Sequence, residues 1–546
     1  MTTEMSGNSS PIESFVDLLR NSQDEFDLVA ACYQTIMIYH RGYEAKFVLD
    51  VENLQNKYPK YANALDYFFN NILDAFLDDD IEKLKHFTDT LNDIIRIINE
   101  IPLPKEIDVE THAANCAYII IDAVDTFLDQ VYSDNEEESH NNGGPLNQNV
   151  CCDECFVYFS ESKSFLSDMY QHKSDGFRKP LTPTRLGSLF HRILIFSRCD
   201  FTTSAPKIKH VSIADAIKKQ LVQEKAIRIA SIPFIGFKTF DFCESNAGNI
   251  CKDKLDGAFY IEYNQSDEEK NSENMLRLLE MTIQQNANII VFPEFIMSKV
   301  MLDKLKSYLS NKHPENLALV IAGTNYEHES DGSGNNVMHI ISRYGNTIGK
   351  YYKFSPFLTL DNEFVHGVPY GGIQEASEHS EESCTKNSNN RRRHFKNAEV
   401  LSNPGKECTM VDIEGIGRIL PAICRDVTDG YYTDNLAKLF MPSLLLIPSW
   451  SKSVSSFQGR LLSIADTIHT TSVLCNCCNA VSDKKNHTGL LILPQKKDTY
   501  MKAAKFKLSR TQDCIKGCNN FQGCLHLIKI NFQNATLNAN VMHILA

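Results

Sequence analysis

The sequence predicts a protein of two parts, in which an all-α region precedes an α/β domain. Between residues 61 and 98, apolar side chains recur at three- and four-residue spacing, as on helices that bury one face. After residue 226, short β-branched runs alternate with helical stripes, which is typical of an α/β domain. The chain has 546 residues, more than the roughly 250–300 that one hydrophobic core usually supports.

Changes in composition along the chain predict the domain boundaries. We expect residues 1–132 to form a helical domain and the polar, aperiodic residues 133–150 to form a linker. Residues 151–221 are expected to be a mixed connector, and residues 222–546 to be the α/β domain. Within that domain, about 374–406 lacks apolar periodicity and is predicted to be an exposed insertion.

Strands and helices alternate in the first half of the predicted α/β domain. Apolar runs rich in β-branched residues mark the strands, and apolar stripes at helical spacing mark the helices. A Tyr-Gly-Asn turn between two further runs predicts a hairpin. The predicted strands are 227–234, 289–292 and 317–322, the predicted helices include 275–283 and 301–309, and the predicted hairpin joins 338–343 to 347–352.

Charge and apolar runs limit the classes of partner. With 55 Lys and Arg against 69 Asp and Glu, the net charge is −14, so we expect no general affinity for nucleic acid or anionic membranes. The basic run at 391–396 is the one place where a nucleic acid could bind. The longest apolar runs are shorter than the ~18 residues that cross a bilayer, and the first 20 residues lack a signal-peptide pattern. The 17 cysteines, without a disulfide pattern, then predict reduced thiols and a cytoplasmic protein.

Three predicted strands each end on a reactive side chain. Glu294 follows Ile-Ile-Val-Phe-Pro, Lys353 follows the second arm of the hairpin, and Cys424 follows Ile-Leu-Pro-Ala-Ile. Strand ends are where α/β folds collect their active-site groups. A thiol nucleophile, a carboxylate that carries protons and an ammonium that meets an oxyanion are sufficient for acyl transfer. We also expect the base and the cation to give Cys424 thiolate character.

These motifs and their order resemble the carbon–nitrogen hydrolase (nitrilase) superfamily over residues 225–535. The matching sequence motifs are Phe-Pro-Glu at Glu294, Gly-Lys-Tyr-Tyr-Lys at Lys353 and Ile-Cys-Arg-Asp at Cys424. The resemblance implies a four-layer αββα sandwich, a homo-oligomer and hydrolysis of a small-molecule amide through a cysteine thioester. It also implies that Glu363 is the second glutamate that often orients the lysine and the substrate in this family.

Three further residues are predicted to bind substrate. Arg425 follows the cysteine where nitrile-specific members commonly have Trp and many amidases have Tyr. This difference argues against a nitrile and favours an acidic group on the substrate. Ser449 and Trp450, within Ile-Pro-Ser-Trp, resemble the strand that borders the pocket in the family.

Neither cysteine cluster has the spacing of a typical zinc site. Cys514, Cys518 and Cys524, with His526 beyond them, are separated by four and six residues, whereas tetrahedral sites usually combine two short-spaced pairs. A second cluster lies within 151–155. We therefore expect no metal and no cofactor, with zinc at either cluster as the alternative.

The predicted function is an amide-hydrolysing enzyme whose helical domain binds a protein partner or regulates the site. The alternative is a catalytically weak nitrilase-like scaffold that acts as an oligomer, because the sequence around Cys424 departs from the family pattern. Similar nitrilase-like domains occur joined to bacterial defence reverse transcriptases, so a role in antiphage defence is a further alternative by analogy.

Overall fold

A computed structural model describes most, but not all, of the chain. The described residues are 10–39, 51–78, 87–134, 149–152, 155–159, 193–197, 207–213, 224–234, 240–245, 257–328, 334–360, 395–413, 416–440, 442–481, 487–497, 500–509, 523–533 and 536–545. Within these ranges, every helix is too short or too polar to cross a membrane. Glu363, the basic run at 391–394 and most of the linker predicted at 133–150 lie outside the described residues.

The chain divides into two units, of which the first holds the amino-terminal helices and a small sheet. Their apolar stripes meet in one core; Leu65, Phe68 and Ile72, for example, are buried in it. Asp125 accepts a hydrogen bond of 2.9 Å from the backbone N–H of Ile193, which ties the small sheet to the last helix. The elements are α1 (Pro11–Arg20), α2 (Glu25–Tyr39), α3 (Val51–Lys57), α4 (Pro59–Asp78), α5 (Phe87–Glu100), α6 (Val109–Asp134), β1 (Asn149–Cys152), β2 (Cys155–Phe159) and β3 (Ile193–Ser197).

The second unit contains the remaining strands and the helices that pack on them. The strands are β4 (Lys207–Ile213), β5 (Ala226–Ser231), β6 (Phe240–Ser245), β7 (Gly257–Tyr263), β8 (Ile289–Val291), β9 (Leu319–His328), β10 (Gly334–Ser342), β11 (Thr347–Tyr352), β12 (Leu358–Leu360), β13 (Phe395–Glu399), β14 (Glu407–Ile413), β15 (Gly417–Pro421), β16 (Leu444–Ser449), β17 (Thr471–Asn476), β18 (His487–Lys497), β19 (Tyr500–Ser509), β20 (Cys524–Gln533) and β21 (Thr536–Leu545). The helices are α7 (Glu268–Gln284), α8 (Lys299–Lys312), α9 (Arg425–Asp429), α10 (Tyr431–Phe440) and α11 (Ser455–Ile468).

Most of these strands form one mixed sheet. Its order is β19-β18-β17-β16-β15-β14-β11-β10-β9-β8-β5-β20-β21, and β4 pairs in parallel with β14. A separate sheet has the order β12-β13-β7-β6. Strands that are distant in the large sheet nevertheless contact each other: β16 contacts β8 and β9, β17 contacts β5, and β18 contacts β21. The two halves of the sheet therefore pack face to face, with α7 against β20 and α11 against β17, β18 and β19.

The structure confirms the elements predicted for the first half of this unit. The runs at 227–234, 289–292 and 317–322 overlap β5, β8 and β9, and β8 pairs in parallel with both β5 and β9. Both faces of such central strands are covered, which explains continuous apolar runs without alternation. The predicted hairpin is β10 paired antiparallel with β11. Its turn requires glycine at Gly345, where φ is +79° and a Cβ would lie 2.2 Å from the carbonyl oxygen of Lys306.

The structure differs from the sequence prediction in two segments, the connector and the exposed insertion. The connector predicted at 151–221 is divided, because β1, β2 and β3 form the small sheet whereas β4 belongs to the large one. The exposed insertion predicted at 374–406 was extended too far. Residues 395–399 form β13, which pairs in parallel with β7, and the side chain of Glu399 is buried. A short strand whose buried side chain is a glutamate gives no apolar periodicity, so the sequence pattern did not reveal it.

Candidate active site

The three reactive side chains at strand ends come together in the second unit. Glu294 lies beyond β8, Lys353 directly follows β11, and Cys424 lies between β15 and α9. All three are buried. The ammonium Nζ of Lys353 is 2.7 Å from Oε1 of Glu294, and both groups interact electrostatically with the thiol of Cys424. The three residues that sequence analysis placed at strand ends therefore lie together in the structure.

The backbone at Cys424 makes a sharp strand-to-helix turn. Its φ is +36° and ψ is −99°, at the amino-terminal end of α9. Its N–H donates to the carbonyl oxygen of Pro448 at 2.9 Å, which fixes the turn to β16. Phe295, which follows Glu294, also has a positive φ, +63°, and its N–H donates to Oγ1 of Thr324 at 2.9 Å. Such conformations cost about 1–3 kcal/mol for non-glycine residues and cluster at functional sites.

Glu294 accepts hydrogen bonds at both carboxylate oxygens. Oε1 accepts from Lys353 at 2.7 Å and from Nδ2 of Asn336 at 3.0 Å. Oε2 accepts from the backbone N–H of Trp450 at 3.1 Å. Burial raises the pKa of Glu294, and the hydrogen bonds from Lys353 and Cys424 only partly oppose that rise. A carboxylate whose pKa lies above its usual range is a better base near neutral pH.

The carboxylate of Glu399 is the second one that contacts Lys353. Its Oε2 is 2.7 Å from Nζ of Lys353, on a residue that sequence analysis assigned to the exposed insertion. Nδ2 of Asn336 donates to Oε1 of Glu399 at 2.8 Å, and the N–H of Phe357 donates to Oε2 at 2.8 Å. Burial alone lowers the pKa of Lys353, but Glu294 and Glu399 outweigh it and raise that pKa above its ordinary value. Lys353 is therefore held as an ammonium between two carboxylates.

Glu399 thus has the lysine contact that the sequence resemblance assigned to Glu363, which lies outside the described residues. The only sequence signal for Glu399 is the short run Phe395–Glu399, which contains two apolar residues. The polar and basic residues before it conceal that run.

Two of the three residues predicted to bind substrate, Ser449 and Trp450, contact the catalytic candidates. Oγ of Ser449 donates to Sγ of Cys424 at 3.3 Å, and its carbonyl oxygen accepts from the N–H of Glu294 at 3.4 Å. The Trp450 N–H binds Glu294, and its indole ring packs against Phe295 with centroids 6.5 Å apart. Ser449 and Trp450 therefore position the carboxylate and the thiol. Arg425 begins α9 and is partly exposed, and its contact with substrate stays a prediction.

Asp426 connects the lysine segment to the cysteine turn. Its Oδ1 accepts from the N–H of Phe354 at 3.1 Å and from the N–H of Ser355 at 2.6 Å, and its Oδ2 accepts from the Tyr351 hydroxyl at 3.1 Å. These donors flank Lys353, whereas Asp426 itself lies two residues after Cys424. Burial raises the pKa of Asp426 to about 7. The sequence pattern included this residue as part of a motif but gave no indication of its positioning role.

The protonation state of Cys424 differs from the sequence expectation. Burial and the negative charge of Glu294 raise the pKa of the Cys424 thiol, and Lys353 and the hydrogen bond from Ser449 oppose this only in part. Cys424 is therefore a thiol at neutral pH, with no standing thiolate character. A buried thiol of this kind needs a base at the moment of attack, and Glu294 is in contact with it.

The chain is similar to solved protein structures, but its sequence matches no protein-family model and no curated protein. Its structure is similar to Nit3 of Saccharomyces cerevisiae, a member of branch 10 of the nitrilase superfamily (15% identity, TM-score 0.29, 54% of this chain and 93% of that chain). It is also similar to an amidase from Nesterenkonia sp. (11%, 0.31, 53% and 95%) and to the C. elegans NitFhit protein (14%, 0.29, 54% and 63%). The similarity to each of these solved structures covers about half of this chain.

Proposed function

We propose that the second unit is a carbon–nitrogen hydrolase of the nitrilase type that cleaves a small amide through a thioester at Cys424. The observation that carries the proposal is the buried contact of one thiol, one carboxylate and one ammonium at three strand ends. The face-to-face packing of the two sheet halves, with helices against each half, supports a four-layer αββα arrangement.

In the first half of the reaction, Glu294 accepts the thiol proton as Sγ of Cys424 attacks the amide carbon. The carbonyl oxygen becomes an oxyanion, which Lys353 and the backbone N–H of Arg425 stabilise. When the C–N bond breaks, the proton on Glu294 passes to the leaving amine, and an acyl thioester remains. The raised pKa of Glu294 suits it to both proton transfers.

In the second half, Glu294 accepts a proton from water as the hydroxide attacks the thioester carbon. The C–S bond then breaks, the carboxylic acid leaves and the proton returns to Cys424. The contacts of Lys353 with Glu294 and Glu399 keep its ammonium charged and in place. It can therefore stabilise the oxyanion that forms in each half of the reaction. This pre-set charge requires no reorganisation at the moment of attack.

Two four-carbon amides distinguish the substrate classes that the site could accept. Butyramide is uncharged and ends in an apolar methyl group, and a solved structure of a mutant of the Nesterenkonia amidase contains it. Succinamate has the same chain length but ends in a carboxylate, which Arg425 could bind. If Arg425 faces the substrate, succinamate is the better of the two, and Arg425→Gln removes that preference without abolishing turnover of butyramide.

Hydroxylamine trapping tests the reaction itself. An acyl thioester reacts with hydroxylamine to give a hydroxamate, which forms a coloured complex with ferric iron. We expect the full chain to form hydroxamate from at least one of the two amides, and the Cys424→Ala variant to form none. Cys116→Ala is the matched control, because Cys116 is a buried thiol of the first unit and should leave the rate unchanged. Equal hydroxamate formation by the Cys424→Ala variant would exclude the thioester.

A further inference from the structure

A second cluster of reactive side chains lies at the open end of the last hairpin and consists of residues other than those described above. Cys524 and His526 are two positions apart on β20, so their side chains lie on the same face of the strand. His543 on β21 is directly opposite His526 in the antiparallel register. One potential ligand atom from each of the three lies within 4.8 Å of the others. Cys524 and His526 are buried, and His543 is partly exposed.

The types and distances of these ligands fit zinc. A thiolate and two imidazoles form a soft ligand set that disfavours magnesium and calcium. Ligands of a tetrahedral zinc lie about 2.0–2.3 Å from the ion, and therefore roughly 3.3–3.8 Å from one another. Because the ligand atoms lie within 4.8 Å of one another, the cluster needs a contraction of no more than about 1.5 Å, which side-chain rotation can supply.

A hydrogen bond outside the cluster orients one of the imidazoles. Oγ1 of Thr488 lies 2.9 Å from Nε2 of His526. The hydroxyl of Thr488 is also 3.5 Å from the carbonyl oxygen of Leu508. When the hydroxyl donates there, its oxygen accepts from Nε2–H of His526, and the lone pair of His526 is on Nδ1. Metal-binding histidines usually donate their other ring N–H in this way.

Zinc binding needs Cys524 as a thiolate. The positive charge of the zinc ion itself favours loss of the thiol proton, so binding should release one proton and weaken as the pH falls.

We propose that Cys524, His526 and His543 bind one zinc ion, with Thr488 positioning His526. The described residues supply three ligands, and a water molecule or another exchangeable group completes the tetrahedron. Because Thr488 lies on β18, the ion stabilises the joint between the terminal hairpin and β18, strands that lie far apart in the order of the sheet. Its role is structural, and it does not depend on the reaction proposed for Cys424.

Zinc binding is measured on the full chain after removal of metal by a chelator. Titration against a chromophoric competitor should show one tight zinc site per chain. Cobalt(II), substituted for zinc, should show tetrahedral ligand-field bands and a thiolate charge-transfer band. The charge-transfer band should disappear in Cys524→Ala and persist in Cys408→Ala, whose buried cysteine lies on β14.

Two milder variants keep the test valid if Cys524→Ala fails to fold. His543 is partly exposed, so His543→Gln should fold, and we expect it to bind zinc at least about 100-fold more weakly. Thr488→Val preserves shape but removes the hydroxyl, and should weaken binding roughly 10- to 100-fold, as the loss of a partner outside the first ligand shell does. The proposal is overturned if the parent chain binds no zinc at micromolar concentration. It is equally overturned if His543→Gln and Cys524→Ala bind zinc as tightly as the parent.

Discussion

The ammonium of Lys353 is 2.7 Å from the carboxylate of Glu399 and also 2.7 Å from that of Glu294. Two carboxylates therefore share one ammonium group. When both are ionised, their negative charges repel each other across Lys353. The repulsion contributes to the raised pKa of Glu294, after burial. Glu399 therefore affects the proposed base without touching the thiol.

Replacement of Glu399 by glutamine should change the pH dependence of the reaction. The neutral amide no longer raises the pKa of Glu294, so the acidic limb of the profile of kcat/KM against pH should shift to lower pH. Lys353 also loses a charged partner, and we expect kcat to fall roughly 10- to 100-fold, less than the ~10²–10³ for loss of a direct oxyanion donor. The profile is measured by release of ammonia from the better amide.

Glu327→Gln is the matched control for this variant. Glu327 also pairs with a lysine, Lys350, at 2.9 Å, but these two residues lie on β9 and β11, the strands on either side of β10. It should leave the acidic limb in place. An unshifted limb in Glu399→Gln, or the same shift in both variants, would show that Glu399 does not control the base.

Asp426 should make the stability of the protein depend on pH. Its pKa is about 7 in the folded chain, above the ordinary aspartate value, so the folded state holds this proton more tightly than the unfolded state. The stabilisation is complete below the unfolded pKa near 4 and is lost as the pH rises towards 7. Asp426→Asn lacks this titration, so its melting temperature relative to the parent should improve between pH 4 and pH 7. A constant difference across that range would contradict the raised pKa.

The large sheet should require residues before the boundary predicted at 222. β4 pairs with β14 at seven positions, and Nε2 of His210 on β4 lies 2.7 Å from Oδ2 of the buried Asp412. A fragment that begins at residue 222 leaves that carboxylate without its histidine in the interior, which is costly. We expect the fragment 203–546 to melt about 3–4 °C above the fragment 222–546, as a loss of roughly 2–3 kcal/mol implies for a domain of this size. Equal melting temperatures would show that β4 is dispensable.

The sequence predicted local features of the fold and site well. Glu294, Lys353 and Cys424 each follow their own apolar strand, so the pattern that predicts the strand also marks its reactive end. Contacts between distant segments were not predictable in this way. Glu399 reaches Lys353 across 46 residues, and His543 reaches His526 through the register of a hairpin. The sequence around Glu399 does not show that β13 pairs with β7, and the sequence around His543 does not show its register with His526. Both pairings depend on how the whole sheet is assembled.

The protonation of the site was also beyond the sequence. The presence of Lys353 suggested a thiolate at Cys424, whereas complete burial and the charge of Glu294 together outweigh the lysine. Burial of this depth depends on the packing of the two sheet halves. The expected homo-oligomer, the protein partner of the helical domain and the cytoplasmic location stay predictions.

The most direct test of the account is the mass of the acyl group on Cys424. The full chain is mixed with the better amide, quenched in acid within the first turnover, digested and mapped by mass spectrometry. We predict an acyl adduct on the peptide that contains Cys424, absent from Cys424→Ala and unchanged in Cys116→Ala. A chain that carries no adduct and releases no ammonia, yet retains its biological role in Cys424→Ala, would contradict the account and establish the scaffold alternative.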